Sequence, residues 1–375
     1  MESLVDKSLF NGLQNKAWLF TGAESPPLKA GLEAVSQYLH NRELGAKGRE
    51  RNQEIEFQCK QQLAAMLKGK ASDIALLSNS SEIISMIAQS LVFKEGDNVV
   101  INTLEFPSGV LPWLLLKEKG LEVRVVEHAD WQISEQAILD KVDSRTKLVV
   151  TSQVSYLSGA RLDSKKLYGQ LKNTGTLLLL DVTQSLGVVP VDMNDADFTV
   201  CSSYKWLLSV HGVGILGINP QRMDVIKPSL IGWRSVKGFK GISQSPSFEW
   251  MEDARRFEWG YPNYAAIYAL NQSAAFLNTI GIDSIERHVL DLGQYCLQRM
   301  EALAFERMTP IDPAKRAGNI CFSSDQGEEI AEALYKRNVY VMGGDGRFRL
   351  SIHLFNDKND VDRAVEALAE ITAAG

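Results

Sequence analysis

Cysteine is scarce in this chain, and none of it stands in a metal-binding arrangement. Cys59, Cys201, Cys296 and Cys321 are scattered, with no Cys-x-x-Cys pair. That spacing argues against a zinc or dithiol redox centre and predicts buried free thiols in a reducing cytoplasm. No segment approaches the roughly 20 apolar residues of a membrane-spanning helix. The opening Met1-Glu2-Ser3-Leu4-Val5-Asp6 lacks the basic start and apolar core of a signal peptide. Positive charge is also short: 40 Lys and Arg against 46 Asp and Glu leave a net charge of −6, which opposes non-specific nucleic-acid binding. No Gly-x-Gly-x-x-Gly follows the first expected strands, so a dinucleotide-binding fold is disfavoured. These absences lead us to expect a cytoplasmic protein with no metal, membrane or nucleic-acid partner.

What is present is an ordinary globular composition, 45% hydrophobic and 23% charged, over 375 residues. That length can bury a large core and suggests two domains or one domain with a lobe. Apolar runs at Ile74–Leu77, Asn98–Ile101, Leu121–Val126, Leu148–Thr151, Leu177–Leu180, Phe198–Cys201 and Gly214–Ile218 read as strands. Amphipathic stretches such as Glu82–Leu91, Ser134–Val142 and Ser164–Leu171 lie between most of them. The alternation predicts an α/β fold whose seven-stranded sheet is mainly parallel and covered on both faces. Gly45–Lys68 reads as a helix, and 220–260 as a long crossing loop. Helices are expected near Tyr264–Thr279 and Ser284–Leu303. Strands at Asn319–Phe322, Tyr340–Met342 and Phe348–Ile352 then alternate with helices at Glu328–Arg337 and Val361–Ala373, with Asn359 and Asp360 as the cap of the last. The resulting division is a segment 1–20 packing on the small domain, a large domain 21–260, and a smaller α+β domain 261–375.

In sheets of this kind, ligands collect at the carboxyl ends of the strands, and the informative residues fall there. The run Leu177–Leu180 ends on Asp181-Val182-Thr183-Gln184-Ser185-Leu186-Gly187, and the run Phe198–Cys201 ends on Ser202-Ser203-Tyr204-Lys205-Trp206. A lysine hemmed in by hydroxyls, with a carboxylate and a carboxamide nearby, suits pyridoxal phosphate. The amine forms an imine with the cofactor aldehyde, the carboxylate keeps the ring nitrogen protonated, and hydroxyls bind the phosphate. A merely structural lysine would need a partner when buried, and Asp197 is the one acidic candidate nearby in sequence.

The two segments resemble the Asp-x-x-Gln-x-x-Gly and Ser-x-(His/Tyr)-Lys motifs of the class V aminotransferase and cysteine desulfurase-like family of fold-type-I pyridoxal-phosphate enzymes. The likeness is to its isopenicillin N epimerase and kynureninase-like branch. Further segments extend it over nearly the whole chain. Asn79-Ser80-Ser81-Glu82 stands where the family has a Gly-Thr-Thr-Glu phosphate loop, so the resemblance makes Ser80 and Ser81 phosphate ligands, completed by Ser202 and Tyr204. Glu105-Phe106-Pro107 is similar to a segment whose second residue stacks on the pyridine ring, which assigns Phe106 that place. Ser152 to Gly159 resembles a segment in which Tyr156 replaces a substrate-contacting Asn. Arg347-Phe348-Arg349-Leu350-Ser351 resembles the motif whose arginine grips the substrate α-carboxylate. By position this is Arg349, with Arg347 the competing choice as an exposed edge residue. Arg255 to Asn263 resembles a segment that reaches the partner subunit's phosphate, through Gly260 and Tyr261.

The resemblance implies pyridoxal 5'-phosphate on Lys205, Asp181 on the ring nitrogen, Gln184 on the cofactor, a small α-amino acid as substrate, and a homodimer with shared active sites. It implies transamination or C–S or C–C lyase chemistry. An epimerase of the isopenicillin N type is the alternative, and a non-catalytic relative of the same fold is another. One family residue is missing. The desulfurase cysteine belongs on the loop before the carboxylate arginine, and here Asn338 to Gly346 contains no thiol. Persulfide chemistry of that kind is therefore not expected, and His353 is expected to be structural rather than a base.

Overall fold

The structure is a computed structural model that describes residues 1–238, 240–244 and 247–374. Its strands are β1 (Ala17–Trp18), β2 (Ile74–Leu77), β3 (Asn98–Asn102), β4 (Glu122–Val126), β5 (Thr146–Ser152), β6 (Leu177–Asp181), β7 (Phe198–Ser202), β8 (Gly214–Ile218), β9 (Asn319–Ser323), β10 (Val339–Tyr340), β11 (Met342–Gly344) and β12 (Arg347–Ser351). The helices are α1 (Lys29–Arg42), α2 (Ala46–Leu67), α3 (Ser80–Ser90), α4 (Leu111–Lys117), α5 (Glu135–Leu139), α6 (Ser164–Leu171), α7 (Tyr264–Ile280), α8 (Ile282–Met300), α9 (Gly327–Tyr335) and α10 (Lys358–Ala374).

Strands β2 to β8 form one sheet in the order β2-β8-β7-β6-β5-β3-β4. All pairs are parallel except those of β8, which runs antiparallel to both β2 and β7. The expected mainly parallel α/β sheet is therefore present. Strand side chains alternate between two cores, as a sheet covered on both faces requires. Leu178 and Leu180 join the core shared with β9, β12, α7 and α8, while Leu177 and Leu179 join the core under α3 and α4. A Gly-x-Gly-x-x-Gly spacing from Gly212 to Gly217 runs into β8 and opens no α-helix, so it carries no dinucleotide-binding turn.

The C-terminal lobe is a three-stranded antiparallel sheet, β11-β12-β9, with α8, α9 and α10. The expected single strand Tyr340–Met342 is in fact two. Val339–Tyr340 pairs in parallel with Ala17–Trp18, and Met342–Gly344 pairs with Arg347–Arg349. The N-terminal segment is thereby tied to this lobe, and Leu4 N–H donating to Leu354 O and Ser351 N–H to Leu19 O add to the attachment. The cap of α10 also differs from expectation. Asp357 Oδ1 accepts the N–H of Asp360 at 3.0 Å, and Asp360 turns inward to Lys7 Nζ and Asn356 Nδ2, both at 2.9 Å. Asp357 is the residue placed to answer an orphan N–H there.

A buried charge cluster fastens the crossing loop to α2. Glu258 accepts from Lys60 Nζ at 2.6 Å, from Leu76 N–H at 2.9 Å and from Arg234 at 3.2 Å. Glu56 takes Arg234 and the Tyr264 hydroxyl. Lys60, Glu56 and Glu258 are all buried. Two carboxylates and two cations balance, and removing one strands the others in a low-dielectric setting. Glu258→Ala should therefore lower unfolding free energy by about 3–5 kcal/mol, read from the urea midpoint of the purified protein. An unchanged midpoint would show that the cluster is not holding the loop.

Candidate active site

The carboxyl ends of β5, β6 and β7 meet the amino end of α3 around a small cleft. Its walls are Asn79, Ser80, Ser81, Phe106, Ser152, Tyr156, Asp181, Thr183, Gln184, Ser202, Tyr204 and Lys205. Nine of these were singled out from sequence. Asn79, Ser152 and Thr183 were not, although all three stand inside the recognised motifs and could have been read from their place there.

Lys205 is half-buried, and among the described residues its Nζ makes no hydrogen bond or ion pair. It lies 5.5 Å from the centroid of the Phe106 ring and 5.7 Å from that of Tyr204. Burial, and then the positive charge of Arg349, hold its pKa down to about 8, against the opposing pull of Asp181 and Cys201. Asp197, the one structural partner in view from sequence, is elsewhere. It sits at the amino end of β7, bonded to Arg222 at 2.6 Å, Leu178 N–H at 2.7 Å and the Tyr168 hydroxyl at 3.1 Å. Among the described residues the amine is therefore unpartnered, and a largely enclosed amine left without a partner marks a functional site.

Asp181 is paired with Ser152 across the β5–β6 ladder. Its Oδ1 accepts Thr183 N–H at 2.8 Å, and burial raises its pKa while Thr183 and Lys205 pull it down. Gln184 is pinned: Oε1 accepts from Trp206 Nε1 at 2.8 Å and Asn319 Nδ2 at 2.9 Å, and Nε2 donates to Gly22 O at 2.9 Å. The turn between these motifs needs Gly187. Its φ is +101°, and a Cβ there would meet Trp206 O at 2.3 Å. Only glycine allows that approach, which sets the Asp181 segment hard against the lysine segment.

At the other end of the cleft is a cluster of hydroxyls. Ser202 Oγ bonds Ser80 Oγ at 2.7 Å and accepts Ser80 N–H at 3.3 Å, and Ser81 Oγ lies 2.6 Å from Ser108 Oγ. Asn79 caps α3 by accepting Glu82 N–H at 2.9 Å. Hydroxyls bonded to one another at the start of an eleven-residue helix can all turn their donors to an anion. Phe106 is half exposed and meets Tyr156 edge to face at 5.2 Å. The Tyr204 ring stacks on His211 at 3.9 Å.

Arg349 is outside the wall but close to it, buried, with Nη1 donating to Tyr156 O at 2.8 Å and Nε unpaired. Burial pushes its pKa down to about 10. Arg347 is buried as well, 1% exposed, rather than an exposed edge residue. It donates to Gly344 O, Asp345 and Tyr156 O. Strand β12 is flanked on both sides, which explains the difference. Gly260 and Tyr261 do not line this cleft. Tyr261 opens on a separate groove with Trp233, Arg234 and Phe57. His353 is buried just beyond β12, its pKa pushed down to about 4 by burial, with Nδ1 accepting Leu354 N–H and Nε2 donating to Trp206 O at 2.9 Å.

An amine without a partner, a buried carboxylate and a hydroxyl-lined helix start fit pyridoxal phosphate in its three reactive or charged parts. Comparison with known proteins leads to the same family. The aminotransferase class-V profile matches residues 17–364. The chain belongs to the aminotransferase class-V family. A probable cysteine desulfurase of Pyrococcus abyssi is 28% identical, covering 82% of this chain and 81% of that protein. An uncharacterized aminotransferase of Bacillus subtilis is 25% identical, covering 99% of each. Among solved structures, the apo cysteine desulfurase of Thermococcus onnurineus shares the fold with a TM-score of 0.90 at 23% identity and full coverage of both chains. A cystine C–S lyase in complex with cysteine persulfide gives 0.89 at 20% identity, with 96% and 99% covered. This class V protein is a pyridoxal phosphate-dependent enzyme of transaminase or lyase type.

All four cysteines are buried. Burial raises the pKa of each, that of Cys201 far above its ordinary value. No helix of the described residues is long and apolar enough to cross a membrane, and among them no His, Cys, Asp and Glu cluster could hold a metal ion.

The depressed Lys205 value has a testable sign. The unfolded chain binds a proton more readily between about pH 8 and 10.5, so the cost of the charged lysine is fully present below pH 8 and fades as pH rises through that window. In cofactor-free protein, acetylation of Lys205 followed by mass spectrometry should show a midpoint near pH 8. Asp181→Asn should lower that midpoint further. A midpoint at the ordinary lysine value of about 10.4 would contradict the assignment.

Proposed function

We propose that the enzyme acts on a small α-amino acid through loss of its Cα proton, in a transamination or lyase reaction in which no enzyme thiol receives the departing group. The observation that carries this is the unpartnered Lys205 amine facing Asp181, with Arg349 buried nearby and no cysteine between Asn338 and Arg347.

Pyridoxal phosphate supplies an electrophilic aldehyde and a cationic ring that draws electrons from Cα. Lys205 Nζ would hold it covalently, yield that bond to the substrate amine, and as a free amine take the Cα proton. Its lowered pKa suits that task, since an amine brought down to about 8 has a far larger neutral fraction near physiological pH than an ordinary lysine. Asp181 would keep a proton on the ring nitrogen from the end of β6. Ser80, Ser81, Ser202 and Tyr204, with the N–H groups opening α3, would bind the phosphate. Phe106 would stack on the ring and, having no titratable atom, move no proton. Gln184 has one N–H left for the cofactor once Gly22 is served.

Arg349 would grip the substrate carboxylate. Its fork is buried, one nitrogen is unpaired, and Tyr156 holds it by the backbone. Gly260 and Tyr261 would reach the phosphate of a partner subunit in a cytoplasmic homodimer, which accounts for their opening away from this chain's own cleft. The division into segments 1–20, 21–260 and 261–375 is part of the same proposal, supported at its start by the pairing of β1 with β10.

The test is a panel of amino acids, with and without an α-keto acid, followed by product identification and the cofactor's absorbance. Arg349→Ala should cost about 2–5 kcal/mol in substrate binding, as when one partner of a buried charge pair is cut away, while the resting absorbance persists. A variant with all four cysteines changed to Ala or Ser should lose less than about tenfold in turnover, since none is a reactive thiolate. Loss on Arg347→Ala but not on Arg349→Ala would assign the wrong arginine. Persulfide trapped on the wild type, together with collapse of the cysteine-free variant, would contradict the thiol-free reaction.

A further inference from the structure

Glu105 stands directly before Phe106 and is buried, yet no part of the reaction above uses it. Its two carboxyl oxygens are in different situations. Oε1 accepts from Asn102 Nδ2 and from Ser152 N–H, both at 2.7 Å. Those donors keep it an acceptor. Oε2 has the Ser152 hydroxyl at 2.7 Å as its one hydrogen-bond partner among the described residues. Any proton carried by this carboxyl therefore sits on Oε2 and points at Ser152.

Ser152 ends β5 opposite Asp181 and lines the cofactor cleft. Glu105 and Ser152 together also line a second, broader groove that is open to solvent, with Asn102, Thr151 and Gln153. The pair thus spans the wall between solvent and the cleft.

We propose that Glu105 and Ser152 form a proton link through that wall, with the Ser152 hydroxyl meeting the cofactor cavity and Glu105 the positioning residue that sets its direction. This rests on the reading of the cleft as the cofactor site. When Glu105 is ionised, Ser152 donates to Oε2 and offers the cleft a lone pair. When Glu105 is neutral, Oε2–H donates to Ser152, whose own hydrogen turns to the cleft. In a transfer, the Oε2–H bond breaks as a new Ser152 O–H bond forms, and the former Ser152 hydrogen passes to an acceptor in the cleft such as the free Lys205 amine. Glu105 is left ionised and takes its next proton from groove water.

The charged groups facing Glu105 are Asp181 from β6 and, after β5, the Tyr156 phenol; among the described residues no cation lies within ion-pair distance. Burial, against the pull of Ser152 and Asn102, pushes its pKa up to about 7, so both directions of the hydroxyl are populated near neutrality.

Difference infrared spectroscopy of the cofactor-free protein reads the pair directly, and absorbance of the pyridoxal phosphate-loaded protein reads its reach into the cleft. Glu105→Gln keeps the oxygen that Asn102 and the Ser152 N–H require, so the wall survives that change. The expected result is a protonated-carboxyl band titrating near pH 7, absent in Glu105→Gln and shifted in Ser152→Ala. The cofactor absorbance should change over the same interval in wild type and lose that change in both variants. A band titrating in the usual glutamate range, or unmoved by Ser152→Ala, would overturn the proposal. So would a cofactor pH response identical in wild type and Glu105→Gln. Failure to take up cofactor would instead contradict the cofactor reading, and the infrared titration would still decide whether the carboxyl and hydroxyl are coupled.

Discussion

A primary amine held largely out of water, with no hydrogen-bond partner among the described residues, is the constraint around which the rest of the site is arranged. Lys205 is carried past the end of β7 into a cleft where water cannot solvate it fully, and the cost appears in its lowered pKa. What offsets that cost is mostly geometric. Parallel pairing of β5, β6 and β7 brings the carboxyl ends of three strands to one edge, with Asp181 opposite Ser152 on one side and Val200 on the other. Gly187 then lets the chain after Asp181 touch the carbonyl of Trp206, the residue after the lysine. A side chain at that position would push the carboxylate and the amine apart.

The same constraint reaches into the C-terminal lobe. Gln184 is oriented by Trp206 and by Asn319, and Asn319 Oδ1 accepts from Ser351 on β12. His353, also past the end of β12, donates to Trp206 O. Strand β12 carries Arg349, so the residues that fix the carboxamide of the large sheet also fix the strand that presents the guanidinium. Gly22 closes the join. A Cβ there would come within 2.4 Å of Asn319 Oδ1 and 3.1 Å of the Arg349 guanidinium. The two lobes are coupled through hydrogen bonds that serve the cleft, and they share one continuous apolar core beneath it.

Much of this was legible in the sequence because period and punctuation agreed. All seven strands of the large sheet fall within about two residues of their expected places, each an apolar run ending in polar or turn residues. The helices α1 and α4 were not visible. Only Gly31, Ala34 and Asn41 of α1 are buried, so it lacks an apolar stripe, and α4 begins Leu111-Pro112-Trp113 with Leu111, Leu114 and Leu115 exposed. The break between Tyr340 and Met342 was hidden because each half pairs with a different strand, a fact set by tertiary contacts alone. In the site, motif residues declared themselves. Glu105 and Ser152 stood in such motifs too, but their coupling was not legible, because it is a contact across 47 positions of sequence. The burial of Arg347 was missed for a related reason: strand pairing on both sides of β12 is not written in its own residues.

The central claim is that the Lys205 amine is the cofactor's attachment point. Borohydride reduction of the purified, cofactor-loaded enzyme, followed by peptide mass mapping, tests it most directly. The account predicts a phosphopyridoxyl group on Lys205, with loss of the visible absorbance on reduction. Recovery of the label on another lysine, or a protein that takes up no pyridoxal phosphate at all, would contradict it.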